Sequence, residues 1–307
     1  MIAHKHLPKD IARIIYWYPV RWIVQVLPSS ALYVLGNLFG KIDSLLSGRK
    51  RMSLLQANIQ HGLKTDSARS REIALSTLQN HQRNMLEFMK YPLLSLSNLH
   101  KVCNLHGLGN VDEALKLRKG VILITAHFGA KQLLQSALGL KGYNVNQINY
   151  HMHKEELSKI QHWISQNNRK RIEARIPVRF IQAKGVMKQA YKCLKQNQLL
   201  ILAGDGSGLV QHMDRTYQVF PFLHSTMRFP TNWVNLSLRT QAAVIPVFTV
   251  RKEGKHDIFF HPALKKDQGS VSYMVQNYIQ ILEKYVYTYP EQWEFWEEFQ
   301  SGILRSM

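Results

Sequence analysis

Gly120-Val121-Ile122-Leu123-Ile124-Thr125-Ala126 runs directly into His127-Phe128-Gly129-Ala130-Lys131-Gln132-Leu133-Leu134. The first half is an unbroken apolar run behind a glycine, the pattern of a strand buried on both faces. The second half turns helical near Ala130 and continues to about Leu140. His127 therefore falls at a strand-to-helix turn, where sheet proteins commonly carry reactive groups. An imidazole at such a turn can remove a hydroxyl proton near neutral pH.

The same alternation continues downstream. Asn144–Ile148 reads as a short strand, Glu155–Ile172 as a helix, Val178–Ile181 as extended and Gly185–Lys195 as helical. Leu199–Ala203 is a second buried strand, ending at Gly204-Asp205-Gly206-Ser207-Gly208. Thr231–Thr240 reads as a helix. Ala243–Val250 and Asp257–His261 are expected to pair as a hairpin around Glu253-Gly254-Lys255, and Ser270–Tyr287 forms a final helix. Strands separated by helices predict an α/β fold: a mixed, mainly parallel sheet flanked by helices.

Upstream the pattern is helical throughout. Residues 9–47 read as two helical pieces broken at Pro28, with Gly48-Arg49-Lys50-Arg51 as a basic connector and a helix over Ser53–Gly62. Thr65-Asp66-Ser67 offers caps for a long helix to about Lys90. Tyr91-Pro92 ends it, because the residue before proline disfavours the α region. We divide the chain into a helical N-terminal region, 1–90, and an α/β domain, 91–307, joined as one continuous unit.

The 40 Lys and Arg against 20 Asp and Glu leave a net charge of +20. That excess implies an anionic partner: nucleic acid, an anionic membrane or an acidic carrier protein. The basic stretch Arg169-Lys170-Arg171, with Arg175 and Arg179, could face any of them. No helix-turn-helix, zinc finger, RNP box or KH loop accompanies it, which argues against nucleic acid. Cys103 and Cys193 are too few for a disulfide framework or a zinc site. His151-Met152-His153 and His162 lack a convincing further ligand, so no metal is expected. The N-terminus reads neither as a signal peptide nor as a clean membrane span. Its aromatics Tyr16, Trp17, Tyr18 and Trp22 beside Arg13 and Arg21 suit either a membrane interface or two ordinary core helices.

Several segments, taken in order, resemble bacterial lysophospholipid and lipid A biosynthesis acyltransferases of the late lipid A acyltransferase type. They are Thr125-Ala126-His127-Phe128-Gly129, the strand ending Asp205-Gly206-Ser207-Gly208, and the run from Val219-Phe220-Pro221-Phe222 through Arg228-Phe229-Pro230-Thr231 and Arg239-Thr240 to Val244-Ile245-Pro246-Val247-Phe248. Tyr289-Pro290-Glu291-Gln292-Trp293 closes the series, and Asn58 in a basic early helix fits the same layout. The resemblance covers nearly the whole chain. It implies a glycerolipid acyltransferase-like fold with a membrane-binding N-terminal segment. It also implies transfer of a fatty acyl group from acyl-ACP or acyl-CoA to a hydroxyl or amine of a lipid or glycolipid acceptor. The expected location is the cytoplasmic face of a bacterial inner membrane, against an anionic surface, with no cofactor.

Within that resemblance His127 is the base, and backbone N–H groups at Phe128 and Gly129 are the expected oxyanion donors. Arg228 could clamp an acceptor phosphate or sit solvated at the surface. The family's box pairs the histidine with an acid five positions later. Here that position is Gln132. An amide can hold the imidazole's tautomer but cannot balance an imidazolium with a full charge. Three readings follow: the enzyme tolerates the amide, Asp205 replaces the acid, or the protein is a catalytically degenerate lipid-binding homologue. The spacing of the box favours Gln132. Asp205 between two glycines suits either a catalytic carboxylate or a turn residue bonding its own backbone.

Overall fold

A computed structural model of the chain describes residues 11, 14–46, 48–148, 163–164, 167–181, 185–206, 216–252, 254–266 and 271–299. The loop histidines 151, 153 and 162 and the second half of the Gly204–Gly208 turn lie outside these residues.

A π-helical turn over Tyr16–Val20 leads into α1 (Arg21–Val26), and α2 (Ser29–Leu46) restarts after Pro28. The basic Gly48–Arg51 stretch is not a connector. It forms the first turn of α3 (Gly48–Leu63). Helix α4 (Ser67–Lys90) starts at Asp66, whose carboxylate accepts from the Arg69 amide at 2.8 Å. This cap satisfies a backbone donor that the first helical turn would otherwise leave open. The helix ends before Tyr91-Pro92, as expected, and Tyr91–Leu93 tightens into a 3₁₀ turn. Helix α5 (Leu96–Val102) then feeds β1 (Cys103–His106), and α6 (Gly109–Lys116) precedes β2 (Val121–Thr125).

Beyond β2 come α7 (Lys131–Leu140), β3 (Val145–Ile148), α8 (Asn167–Glu173), β4 (Arg179–Ile181), α9 (Val186–Lys195) and β5 (Leu199–Ala203). The chain continues through β6 (Tyr217–Phe222), β7 (Ser225–Pro230), α10 (Asn232–Thr240), β8 (Ala243–Arg251), β9 (His256–Phe260) and α11 (Val271–Thr288).

Seven strands form one sheet in the order β1-β9-β8-β2-β5-β3-β4. The pairs are parallel except β8–β9, the expected hairpin. Side chains alternate across the central strands. Ile122, Ile124, Leu200 and Leu202 enter one buried cluster, and Val121, Leu123, Leu199 and Ile201 enter the other. Period-two alternation with both faces apolar is what produced the unbroken runs in the sequence. The aromatic stretch around Val219–Pro230 is a separate antiparallel hairpin, β6–β7.

The N-terminal helices pack one side and leave the other bare. Helix α2 lies against α4 at Gly36 and Gly40, where a Cβ would strike Arg83 and Gln79. Val26, Leu45 and Leu46 are at least 80% exposed, and Trp22, Ile23, Val34 and Leu38 are also exposed. No helix among the described residues is long and apolar enough to cross a membrane.

Candidate active site

Strands β2 and β5 are parallel neighbours with Thr125 opposite Ala203. Two residues further along each strand, at the carboxyl end of the sheet, stand His127 and Asp205. Asp205 Oδ1 lies 2.8 Å from His127 Nδ1, and Asp205 Oδ2 accepts from the His127 amide at 2.8 Å. Trp293 Nε1 donates to the same Oδ2 at 3.2 Å. The Asp205 side chain is fully buried, whereas that of His127 is 21% exposed. A carboxylate only accepts, so the bond to Nδ1 assigns the ring proton there. In the neutral ring Nε2 is then the nitrogen with the lone pair, and it has no protein partner among the described residues. The ring plane is fixed as well: Phe295 stacks on the imidazole at 4.1 Å and 25°.

The segment after α11 is therefore part of the site. Phe128 and Trp293 form an antiparallel bridge. The Gly129 amide donates to the Gln292 carbonyl, and the Glu294 amide to the His127 carbonyl, both at 2.8 Å. Gly129 has φ +52°, and a Cβ there would run into the Thr249 carbonyl oxygen. Glycine is required by both the backbone angle and the close approach of β8.

A second layer of polar side chains lies behind this bridge. Asn84 Nδ2 donates to the Gly129 carbonyl at 2.9 Å and to Glu294 Oε1 at 2.7 Å. Lys131 holds the other Glu294 oxygen at 2.7 Å. Burial would raise the Glu294 carboxyl, but Lys131 and His81 outweigh it and hold the group well below the usual range. Arg251, at the end of β8, donates to Asn80, to Asn84 at 2.6 Å and to Glu87 at 2.6 Å. His256 approaches the same Glu87 oxygen at 3.3 Å. Burial would raise the Glu87 carboxyl too, but His256 and Arg251 hold it at about 2. The polar breaks in the apolar face of α4, Asn80 and Asn84, are thus the residues that face the site.

The sequence-predicted residues divide. The structure brings His127 and Asp205 together. Gln132 is the second residue of α7, and among the described residues its side chain makes no hydrogen bond to the imidazole. Its place five residues after His127 carries it into the helix, away from the ring nitrogen that Asp205 occupies. The Gly129 amide, expected as an oxyanion donor, is corrected: it is committed to Gln292. Phe128 is buried in the core, edge-on to Phe248 and Tyr285. Arg228 is half-buried on β7, across from Val219, and neither a hydrogen bond nor an ion pair joins it to His127 or Asp205. Asn58 is buried, and its Nδ2 donates to the Trp296 carbonyl at 2.6 Å, fastening α3 to the closing segment.

Sequence reasoning assigned no role to Trp293, Phe295, Asn84 or Arg251. Trp293 closes the Tyr289–Trp293 motif and Arg251 follows the Val244–Phe248 run, so the signal was present without its geometry. Among the described residues no group of three or more His, Cys, Asp or Glu is placed to hold a metal. Cys103 and Cys193 are buried and unpaired.

Comparison with curated proteins returned no match. Residues 6–298 match the family model described as bacterial lipid A biosynthesis acyltransferase. That match takes in every element that builds the site, from α3 and α4 to Trp293 and Phe295, and the chain belongs to the bacterial lipid A biosynthesis acyltransferase family.

Proposed function

We propose that this acyltransferase moves a fatty acyl group from an acyl thioester, acyl-ACP or acyl-CoA, to a hydroxyl or amine of a lipid or glycolipid acceptor, with His127 as base and Asp205 as its partner. The observation that carries this reading is the 2.8 Å contact between His127 Nδ1 and buried Asp205. It supplies the carboxylate that residue 132 lacks. Nε2 takes the acceptor proton, the acceptor oxygen or nitrogen bonds to the thioester carbonyl carbon, and the C–S bond breaks. The imidazolium, balanced by Asp205, returns the proton to the departing thiolate. With the Gly129 amide committed, the oxyanion is left to the Phe128 amide and to N–H groups in the first turn of α7, at Lys131 and Gln132, where the helix end also favours negative charge.

The bare apolar face of the N-terminal helices supports a membrane-associated enzyme that lies on the bilayer rather than crossing it. Arg21 stands 5.6 Å from the Trp22 ring, a cation beside an exposed aromatic. That pairing suits the headgroup level of an anionic leaflet, and the net charge of +20 reinforces it. We place the enzyme on the cytoplasmic face of the inner membrane, where acyl thioesters are made.

The test is acyl transfer by the purified protein to a lysophospholipid or lipid A precursor, followed by mass spectrometry. His127→Ala is expected to remove product formation while the circular dichroism spectrum and liposome binding stay unchanged. Wild-type turnover in His127→Ala would remove His127 from the mechanism.

A further inference from the structure

Two cavities open beside the polar network, of about 540 and 740 Å³. They adjoin, sharing Tyr33, Arg251 and Lys252. Their charged lining is lopsided. Arg83, Lys90, Lys101, Arg251, Lys252 and Lys255 face them, against Glu87 and Glu291. Arg251 spends its charge on Glu87, and Lys252 on Asp257 at 2.8 Å.

Arg83 and Lys90 have no carboxylate within ion-pair distance among the described residues. Arg83 instead lies over the Tyr33 ring at 3.7 Å and donates to Asn37. Lys90 donates to the Leu27 carbonyl. Burial depresses both cations, and Arg251 adds like-charge repulsion on Arg83. Three buried donors on residues lining the smaller cavity also have no partner among the described residues: Asn80 Nδ2, Arg83 Nε and Arg251 Nε. Asn80 and Arg251 are more than nine-tenths buried.

Partly buried cations without counter-ions, beside unpartnered donors, are costly in the empty protein. One kind of ligand answers the cations of the lining: a group that only accepts hydrogen bonds and carries negative charge. We propose that this cleft binds a phosphate group of a substrate. The larger cavity adds apolar walls at Leu32, Leu93, Leu94 and Val102, which suits the organic part of a phosphorylated amphiphile. The position is useful. Gln292 lines the smaller cavity, holds the Arg251 amide with Oε1 at 2.7 Å and holds the Gly129 amide with its carbonyl. Asn84 joins the Gly129 carbonyl to Arg251. A phosphate bound here is thereby indexed to the backbone that carries His127. Its use in orienting a substrate rests on the acyl-transfer reading, whereas the binding itself does not.

The experiment is calorimetric titration of the full chain in detergent with 4′-phosphopantetheine and with glucose 1-phosphate, against pantetheine and glucose as controls. Binding of the phosphorylated probes and not of the controls is expected. Tighter binding of the pantetheine compound assigns the cleft to the donor, and tighter binding of the sugar phosphate assigns it to the acceptor. Arg83→Gln keeps the aliphatic stem against α2 and should weaken phosphate binding at least about tenfold, or about 1.4 kcal/mol. Its melting temperature should change little, because loss of the Asn37 bond and the Tyr33 contact is offset by removal of a partly buried cation with no carboxylate within ion-pair distance. If that variant does not fold, Lys101→Gln, at an exposed position, should weaken binding at least about threefold by loss of one cation.

Failure of wild type to bind either phosphorylated probe overturns the proposal, and so does wild-type affinity in folded Arg83→Gln or, where that variant is unusable, in Lys101→Gln. Acyl transfer is measured on the same preparations. Transfer without phosphate binding refutes only this inference, and phosphate binding without transfer refutes only the acyl-transfer reading.

Discussion

Asp205→Asn isolates the contribution of one charge. The carboxylate accepts three bonds, Oδ1 from His127 Nδ1–H and Oδ2 from the His127 amide and the Trp293 indole. An asparagine side chain can enter this pocket in two ways. With its NH₂ at the Oδ2 position it faces two buried N–H groups, each left unsatisfied at a cost of about 1–3 kcal/mol. With its oxygen there it keeps both of those bonds and turns its NH₂ towards Nδ1. The second arrangement wins by a few kcal/mol. It forces Nδ1 to accept, so the proton moves to Nε2, the nitrogen proposed to receive the acceptor's proton. An acid-to-amide change behind the catalytic histidine of serine proteases costs about 10⁴ in turnover for the same reason. We expect a loss of about 10³–10⁴ here, with at most ~2 kcal/mol of stability, since burying an amide is easier than burying a charge. The assay is initial-rate thiol release from an acyl thioester in the presence of acceptor, with thermal melts on the same samples. Gln132→Glu should not raise turnover, because the ring nitrogen it would serve is taken. Asp205→Asn within tenfold of wild type, or a clear gain in Gln132→Glu, would refute this reasoning.

Gly129→Ala should destabilise the fold by more than ~3 kcal/mol, because it combines a positive φ with a clash against the Thr249 carbonyl, and urea melts will measure it. Glu87 is held at about 2 in the fold against an ordinary 4.5. A depressed carboxyl contributes its stability above about pH 5 and loses it as pH falls from about 4.5 towards 2. Glu87→Gln should therefore cost about 1–3 kcal/mol near neutrality and flatten the acid limb of the stability curve, whereas wild-type and variant curves running parallel from pH 6 to 3 would exclude the effect. Replacing Trp22, Val26, Leu45 and Leu46 with serine should reduce co-sedimentation with anionic liposomes most clearly at low salt, without changing the melt, since these side chains are exposed. Undiminished binding would count against the bilayer-facing assignment.

The alternation of strands and helices was legible because the central strands are buried on both faces, and such strands write themselves as continuous apolar runs. Strand β1, Cys-Asn-Leu-His, was not legible: it sits at the sheet edge, and only one of its four residues is fully buried. The β6–β7 hairpin was hidden by Pro221 and Pro230 and by aromatics that read as a loop. His127 stood out because its strand announces itself. Its partner Asp205 stood only as an alternative, because local spacing points to residue 132 while the register between β2 and β5 points to 205. Two buried strands that each end two residues before a polar side chain were the available sign. Adjacency of those strands had to be known before it could be used. Trp293 and Phe295 were beyond reach for a similar reason, since nothing local in the sequence says that the stretch after α11 folds back onto β2.

That fold-back bears on when the enzyme becomes active during its own synthesis. Chains fold from the N-terminus as they emerge from the ribosome. The helices with the bare apolar face come first, and the sheet strands carrying His127 and Asp205 follow. Trp293 and Phe295 arrive after every strand has been made. A nascent chain halted before them has an imidazole with no ring stacked on it and a carboxylate without its indole donor. If the bare apolar face does meet a bilayer, as proposed, such a chain can settle there before the site is assembled, and attachment would precede competence in the life of each molecule.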